Sequence, residues 1–234
     1  MFDLIRNALF VRGAVVACFA VTAATAVGQE NSATPTATPA VPASPSREVR
    51  ITFLPPPLEG TISLGIFDGQ GKLVRVLHRE AELAEFTIGN DALSTTWDGK
   101  NDAGDACEPG KYRARGYAVG DLEAEDEAAA PAEHAAAAPP KIVVKLIANP
   151  LVAGKKPTVD LAAGFDEDGT FLQTADGLPL FTVDETSGIL EVSLIRRSDK
   201  AVALLQNDGD TTDWFRIRNI DQMMAFDCGE IQLK

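Results

Sequence analysis

Nucleophilic catalysis near neutral pH needs a hydroxyl or thiol held against an imidazole, with a carboxylate to orient the ring. The chain offers two imidazoles, His78 and His134, and three thiols, Cys18, Cys107 and Cys228. His78 ends the extended run Leu73-Val74-Arg75-Val76-Leu77, and His134 stands alone among alanines, so neither is set beside a nucleophile. No Gly-x-Ser-x-Gly elbow, His-Glu-x-x-His pair or phosphate-binding glycine loop occurs. No catalytic residue is assigned, and the chain reads as a non-enzyme. The carboxylates leave two other chemistries open. Asp98, Asp102 and Asp105 crowd one Gly-rich turn, and clustered carboxylates are what a hard cation such as calcium takes. They lack the EF-hand spacing, so turn capping is the expected role and a calcium loop the alternative. A pair of acids flanking a glycosidic bond defines a hydrolase, but abundance of acids alone does not place such a pair.

The surroundings of these residues set the compartment. Acids number 34 against 21 Lys and Arg, for a formal charge of −13 over 234 residues. That balance excludes nucleic acid as the main partner, because phosphate contacts need clustered bases. Arg6 and Arg12 precede Gly13–Gly28, 16 residues without a charge, with small residues at Ala24, Ala26 and Gly28. A basic start, a short apolar stretch and a small-residue exit is the layout of a secretory signal peptide over residues 1–28. The run is shorter than the roughly 20 residues a spanning helix needs, so no transmembrane span is expected after cleavage. The apolar stretch follows Cys18 instead of preceding it, against a lipoprotein. Export to the periplasm, cell surface or medium is expected. In that oxidising setting Cys107 and Cys228 are candidates for a disulfide, provided their Cα atoms approach within about 7 Å.

Two low-complexity stretches divide the rest. Residues 29–46 carry four Pro among Ala, Ser and Thr and read as a solvated spacer. Residues 121–140 carry six acids, nine Ala and no Lys or Arg, and Pro131 cuts whatever helix Ala and Glu favour. This second stretch reads as an acidic tether. Between and after them, residues 47–120 and 141–234 show strand patterning, which makes the chain all-β: an Ig-like β-sandwich followed by a second small all-β domain.

In the first module, Ile62, Leu64 and Ile66 alternate along Thr61–Phe67, the period of a half-buried strand. Asp68-Gly69-Gln70-Gly71 turns the chain into a second strand over Lys72–Leu77. Ala84–Ile88 and Leu93–Trp97 are two further strands. Trp97-Asp98-Gly99-Lys100-Asn101-Asp102-Ala103-Gly104 is dense in turn formers, and Pro109-Gly110 leads to a closing strand, Lys111–Tyr117. Trp97, beside the turn and opposite Tyr112, is expected to bury its ring and bond its N–H to backbone, with stacking on a sugar as the alternative.

Taken in order, Ile66-Phe67-Asp68, Gly71, Val74-Arg75-Val76-Leu77, Trp97-Asp98-Gly99, Asp102, Gly104, Gly110 and Tyr112 resemble the Ig-like module named after the flagellar hook-capping protein FlgD. The resemblance covers about 70 residues and recurs in secreted bacterial proteins, where it implies a non-enzymatic sandwich used for spacing, assembly or binding at the envelope. The chain departs from the pattern at Ala81–Ala84, where the family places a glycine. Flagellar function is not carried over, because the rest of a hook-cap protein is missing.

The second module continues with strands at Ile142–Ile147, Thr158–Ala162, Thr170–Thr174, Leu180–Val183, Leu190–Arg196, Ala201–Gln206, Trp214–Arg218, Met223–Phe226 and Ile231–Leu233. Asp-Gly turns at Asp168-Gly169, Asp176-Gly177 and Asp208-Gly209 separate several of them. Too few strands are present for a propeller, which leaves a sandwich or barrel. Arg196-Arg197 and Lys155-Lys156 read as solvated pairs, with an acidic-ligand site as the alternative. The expected function is an exported structural, assembly or binding module with a protein or glycan partner. A calcium- or glycan-binding module and a carboxylate hydrolase are the alternatives.

Overall fold

The computed structural model describes residues 47–128, 141–151 and 157–234, all within one compact unit. The stretches expected to be signal peptide and spacer, residues 1–46, and also His134 and Lys155-Lys156, lie outside the described residues. Among the described residues the chain is all-β, with one short 3-10 turn, Leu83–Glu85, and 15 antiparallel strands.

The first sandwich faces a three-stranded sheet against a four-stranded one. The smaller sheet runs β1 (Val49–Phe53), β5 (Leu93–Trp97), β4 (Thr87–Ile88). β2 (Thr61–Phe67) and β3 (Leu73–Ala81) form a hairpin across Asp68, whose Oδ1 accepts the Gln70 and Lys72 N–H groups. β6 (Gly110–Val119) pairs with β2, and the other side of β6 pairs with the last strand of the chain, β15 (Met223–Leu233). Ile62, Leu64, Ile66, Trp97, Ala114, Phe226, Ile231 and Leu233 form the core between the two sheets.

Pairing therefore crosses the boundaries expected from composition at 120 and 141. The strands between Glu123 and Arg218 are inserted between β6 and β15, two neighbouring strands of the first sandwich. β6 is accordingly an inner strand and not the closing one. The inserted part is a second sandwich. One sheet runs β11 (Pro179–Asp184), β10 (Gly169–Thr174), β9 (Thr158–Asp166), β8 (Ile142–Lys145). The other runs β12 (Glu191–Arg196), β13 (Ala201–Asn207), β14 (Thr212–Arg218), β7 (Glu123–Asp126). Leu161, Leu172, Leu180, Leu194, Leu204 and Ile217 fill its core.

β7 corrects the expectation of a tether that is at most helical from residue 121. Its four residues pair with β14, and Arg218 and Arg216 bind the carboxylates of Glu125 and Glu127. The acids are the counter-ions of a strand edge. A second correction concerns Ala84–Ile88, where Leu83–Glu85 makes the 3-10 turn and only Thr87 and Ile88 are extended. The Glu82 N–H donates to the Glu85 carboxylate at 2.8 Å, a local bond that favours the turn over a ladder. Met223–Phe226 and Ile231–Leu233 are one strand carrying a bulge at Asp227–Gly229.

The four-stranded sheet of the first sandwich is covered on both faces. β2 shows it best: Ser63 and Phe67, on the face opposite Ile62 and Leu64, are also buried. That second face meets the inserted sandwich. Tyr117, Val119, Met223 and Ala225 pack into the second core, while Phe226 and Ile231 point into the first. Arg115 lies 3.8 Å over the Phe67 ring and binds Asp176. Arg79 lies 4.3 Å over Phe171 and pairs with Asp166 at 2.7 Å. Within the sheet, Gly116 lets β6 lie close to β2 and Phe226, since a Cβ there would stand 2.3 Å from the Ser63 carbonyl oxygen and 2.8 Å from the Phe226 ring.

Candidate functional site

The turn after β5 holds every residue of the Trp-Asp-Gly motif, and its geometry gives each a partner. Trp97 is fully buried, its Nε1–H donates to the Lys100 carbonyl at 2.8 Å, and its ring meets Tyr112 edge-on at 5.0 Å. Asp98 Oδ1 accepts the Lys100 N–H at 3.0 Å. Gly99 takes φ +75°, where a Cβ would press on Leu233 and Arg47, and its carbonyl accepts the Cys107 N–H at 2.8 Å. Gly104, at φ +84°, donates its N–H to the Asn101 carbonyl. The Tyr112 hydroxyl donates to the Glu108 carbonyl at 2.8 Å, and Gly110 opens β6 opposite Leu233.

Asp102 reaches furthest. Its N–H donates to the Val74 carbonyl at 3.2 Å, and its carboxylate accepts the Val76 N–H at 3.0 and 3.2 Å. Arg75, between them, donates Nη1–H to the Asn101 carbonyl at 2.9 Å. β3 is the edge of its sheet, and these bonds occupy backbone groups that another chain's strand would otherwise use. The Val-Arg-Val and Trp-Asp-Gly motifs are thus two halves of one edge plug.

The three candidate calcium ligands are spent on different donors. Asp98 holds Lys100, Asp102 holds β3, and Asp105 Oδ2 lies 3.4 Å from the Asn101 amide nitrogen. Among the described residues no group of three or more His, Cys, Asp or Glu gathers as a metal site.

Cys107 and Cys228 stand as free thiols, so the disulfide considered from sequence is not formed. Cys107 follows the motif turn, whereas Cys228 sits in the bulge of β15, and each packs separately against the first core. Burial, then the Asp98 charge, pushes the Cys107 thiol up, and Arg75 opposes them. Burial and Asp227 push Cys228 up to about 12. Both are protonated near neutral pH and make poor nucleophiles.

His78 links the two sheets of the first sandwich. Its Nε2 lies 2.8 Å from Thr95 Oγ1 on β5, and its ring tilts against Phe86 at 4.4 Å. Burial lowers its pKa, partly offset by the Glu85 carboxylate. Glu85 is bonded to the Glu82 N–H and makes no ion pair with the ring, so no orienting carboxylate completes a triad. Trp214 is buried as well as Trp97, so neither indole presents the open face that sugar stacking requires.

Clefts open on the surface of the described residues, among them three lined by charged side chains. One of about 540 Å³ lies where the sandwiches meet, with Arg79 facing Glu167, Asp168 and Glu185. One of about 370 Å³ is bordered by Tyr117, Asp160 and Asp176. A third, of about 430 Å³, is lined by Arg197, Lys200, Arg216 and Arg218 with no carboxylate. Sequence reasoning missed that last grouping, because its residues are up to 21 positions apart. The signal available was Arg216 alternating with Arg218 on one strand, and a base at Arg197 just past another. No family model, curated protein or solved structure matches the chain. Among the described residues no helix is long and apolar enough to cross a membrane.

Proposed function

We propose that the chain is an exported, non-catalytic assembly or binding module, built on a FlgD-like Ig-like sandwich that carries a second sandwich as a rigid insertion. The observation that supports this reading best is the doubly covered sheet β15-β6-β2-β3, which makes two cores share two strands and leaves little freedom between them. A body of that kind holds surface loops at fixed separation, which is what spacing or assembly at an envelope demands. The edge plug at Asp102 supports it too, since a module presented outside the cell must avoid unplanned strand pairing.

Two measurements test the reading. Alkaline phosphatase fused after Lys234 reports export, and an inactive fusion retained in the cytoplasm overturns that part. Spin labels at Gln70 and Asp210, exposed loop positions on the two sandwiches, are expected to give one narrow distance distribution. A broad one overturns rigid spacing.

A further inference from the structure

We propose that the cleft between the β12–β13 turn and the end of β14 binds a phosphate group, free or carried on a small organic molecule. Arg197 and Lys200 come from the turn, Arg216 and Arg218 from one face of β14, and Ser198 and Asn219 complete the lining. The backbone beneath is fixed. The Arg197 and Ser198 N–H groups both donate to the Ala201 carbonyl at 3.0 Å, and Ser198 Oγ accepts the Lys200 N–H at 3.1 Å. Asn219 holds a left-handed φ of 59° with its amide bonded to the Asp121 carbonyl, and the Ile220 N–H donates to Lys200.

Four cations around one concavity stand out in a chain of formal charge −13. Three of them are held by acids that do not line the cleft: Glu127 binds Arg216, Glu125 binds Arg218 at 2.8 Å, and Asp221 binds Lys200 at 3.1 Å. These pairs pin the side chains without filling the cleft. A guanidinium has five N–H donors, and one ion pair leaves most of them for a ligand. Arg197 has no ion-pair partner among the described residues, so its fork is wholly available. The lining supplies a surplus of donors and no anionic acceptor, which selects an oxyanion. Donors arriving from a strand and a turn on two sides of the cleft suit a tetrahedral dianion better than a planar carboxylate, which one fork satisfies. A concave lining of one sign also concentrates its counter-ion against the repulsive net charge.

Isothermal titration calorimetry of the full chain at constant ionic strength tests this, with inorganic phosphate and glycerol 3-phosphate as separate probes and chloride as control. One site per chain is expected, and Arg197→Gln weakens it about tenfold, the loss of one charge-assisted contact. Arg218→Gln is expected to act the same way, and Lys111→Gln, on the other sandwich, to leave binding unchanged. Tight binding of the organic probe alone, lost in Arg197→Gln, assigns the phosphate to an organic carrier. The proposal is overturned if neither probe binds more tightly than chloride, or if Arg197→Gln binds as the parent does. Arg197 is exposed and outside any ion pair described, so its variant reads the site even if Arg218→Gln fails to fold.

Discussion

Asp102 shows how one side chain can replace a missing strand. It donates to Val74 and accepts from Val76, the pattern a partner strand would impose on the β3 edge. Asp102→Ala removes the acceptor and is expected to cost about 1–2 kcal/mol, the range for leaving a backbone donor poorly satisfied. The same variant is expected to self-associate more, since the edge is bared. Urea unfolding and light scattering read the two effects, and an unchanged midpoint with no added scattering refutes the plug. His78 makes a second case at this scale. Its pKa is lowered from 6.5 by burial, so below that value the unfolded chain binds a proton more readily than the folded one. The stability His78 contributes is present above pH 6.5 and is lost as pH falls through the lowered folded value. Stability measured at pH 8 and pH 5 should fall more for the parent than for His78→Gln, and equal losses would remove His78 from the account.

At the scale of elements, legibility followed burial. β5 and the Asp68 hairpin could be read from sequence because one face meets a core and the turns carry Gly and Asp, while β10 and β13 appeared as short apolar runs. β7 could not. All four of its residues are exposed, and its hold on β14 combines a backbone ladder with the Arg218–Glu125 ion pair, neither of which leaves an apolar alternation to detect. β15 reads as two strands because its bulge places Asp227 and Gly229 in mid-strand. The hidden partner of β6 was unreadable for a further reason: its pairing residues lie over a hundred positions away, and no local pattern encodes such closure. The ion-pair account of β7 has its own test. Glu125→Lys sets like charges against Arg218, which should cost about 0.5–1 kcal/mol and speed hydrogen exchange at Ala124–Asp126. Unchanged exchange there would mean that backbone pairing alone holds the strand.

On the scale of the whole molecule, the insertion ties the fates of the two sandwiches. β15 supplies Phe226, Ile231 and Leu233 to one core and Met223 to the other. Burying the three large side chains of the first core is worth about 5–9 kcal/mol in total, against a domain stability of about 5–15 kcal/mol. A chain ending at Gln222 therefore loses most of what holds the first sandwich. It also uncovers Tyr117 and Val119 on β6, which the second sandwich uses as part of its core. Arg79 and Arg115 reinforce the link, each stacked on one sandwich's aromatic ring or bonded to its acid while rooted in the other sheet. Two domains joined by a tether would melt separately, whereas this arrangement should melt once. Calorimetry of the full chain is expected to give a single transition whose calorimetric and van't Hoff enthalpies agree, and the chain ending at Gln222 should show no cooperative transition. Two resolved transitions in the full chain, or a cooperative second sandwich surviving without β15, would mean that the shared strands do not couple the cores.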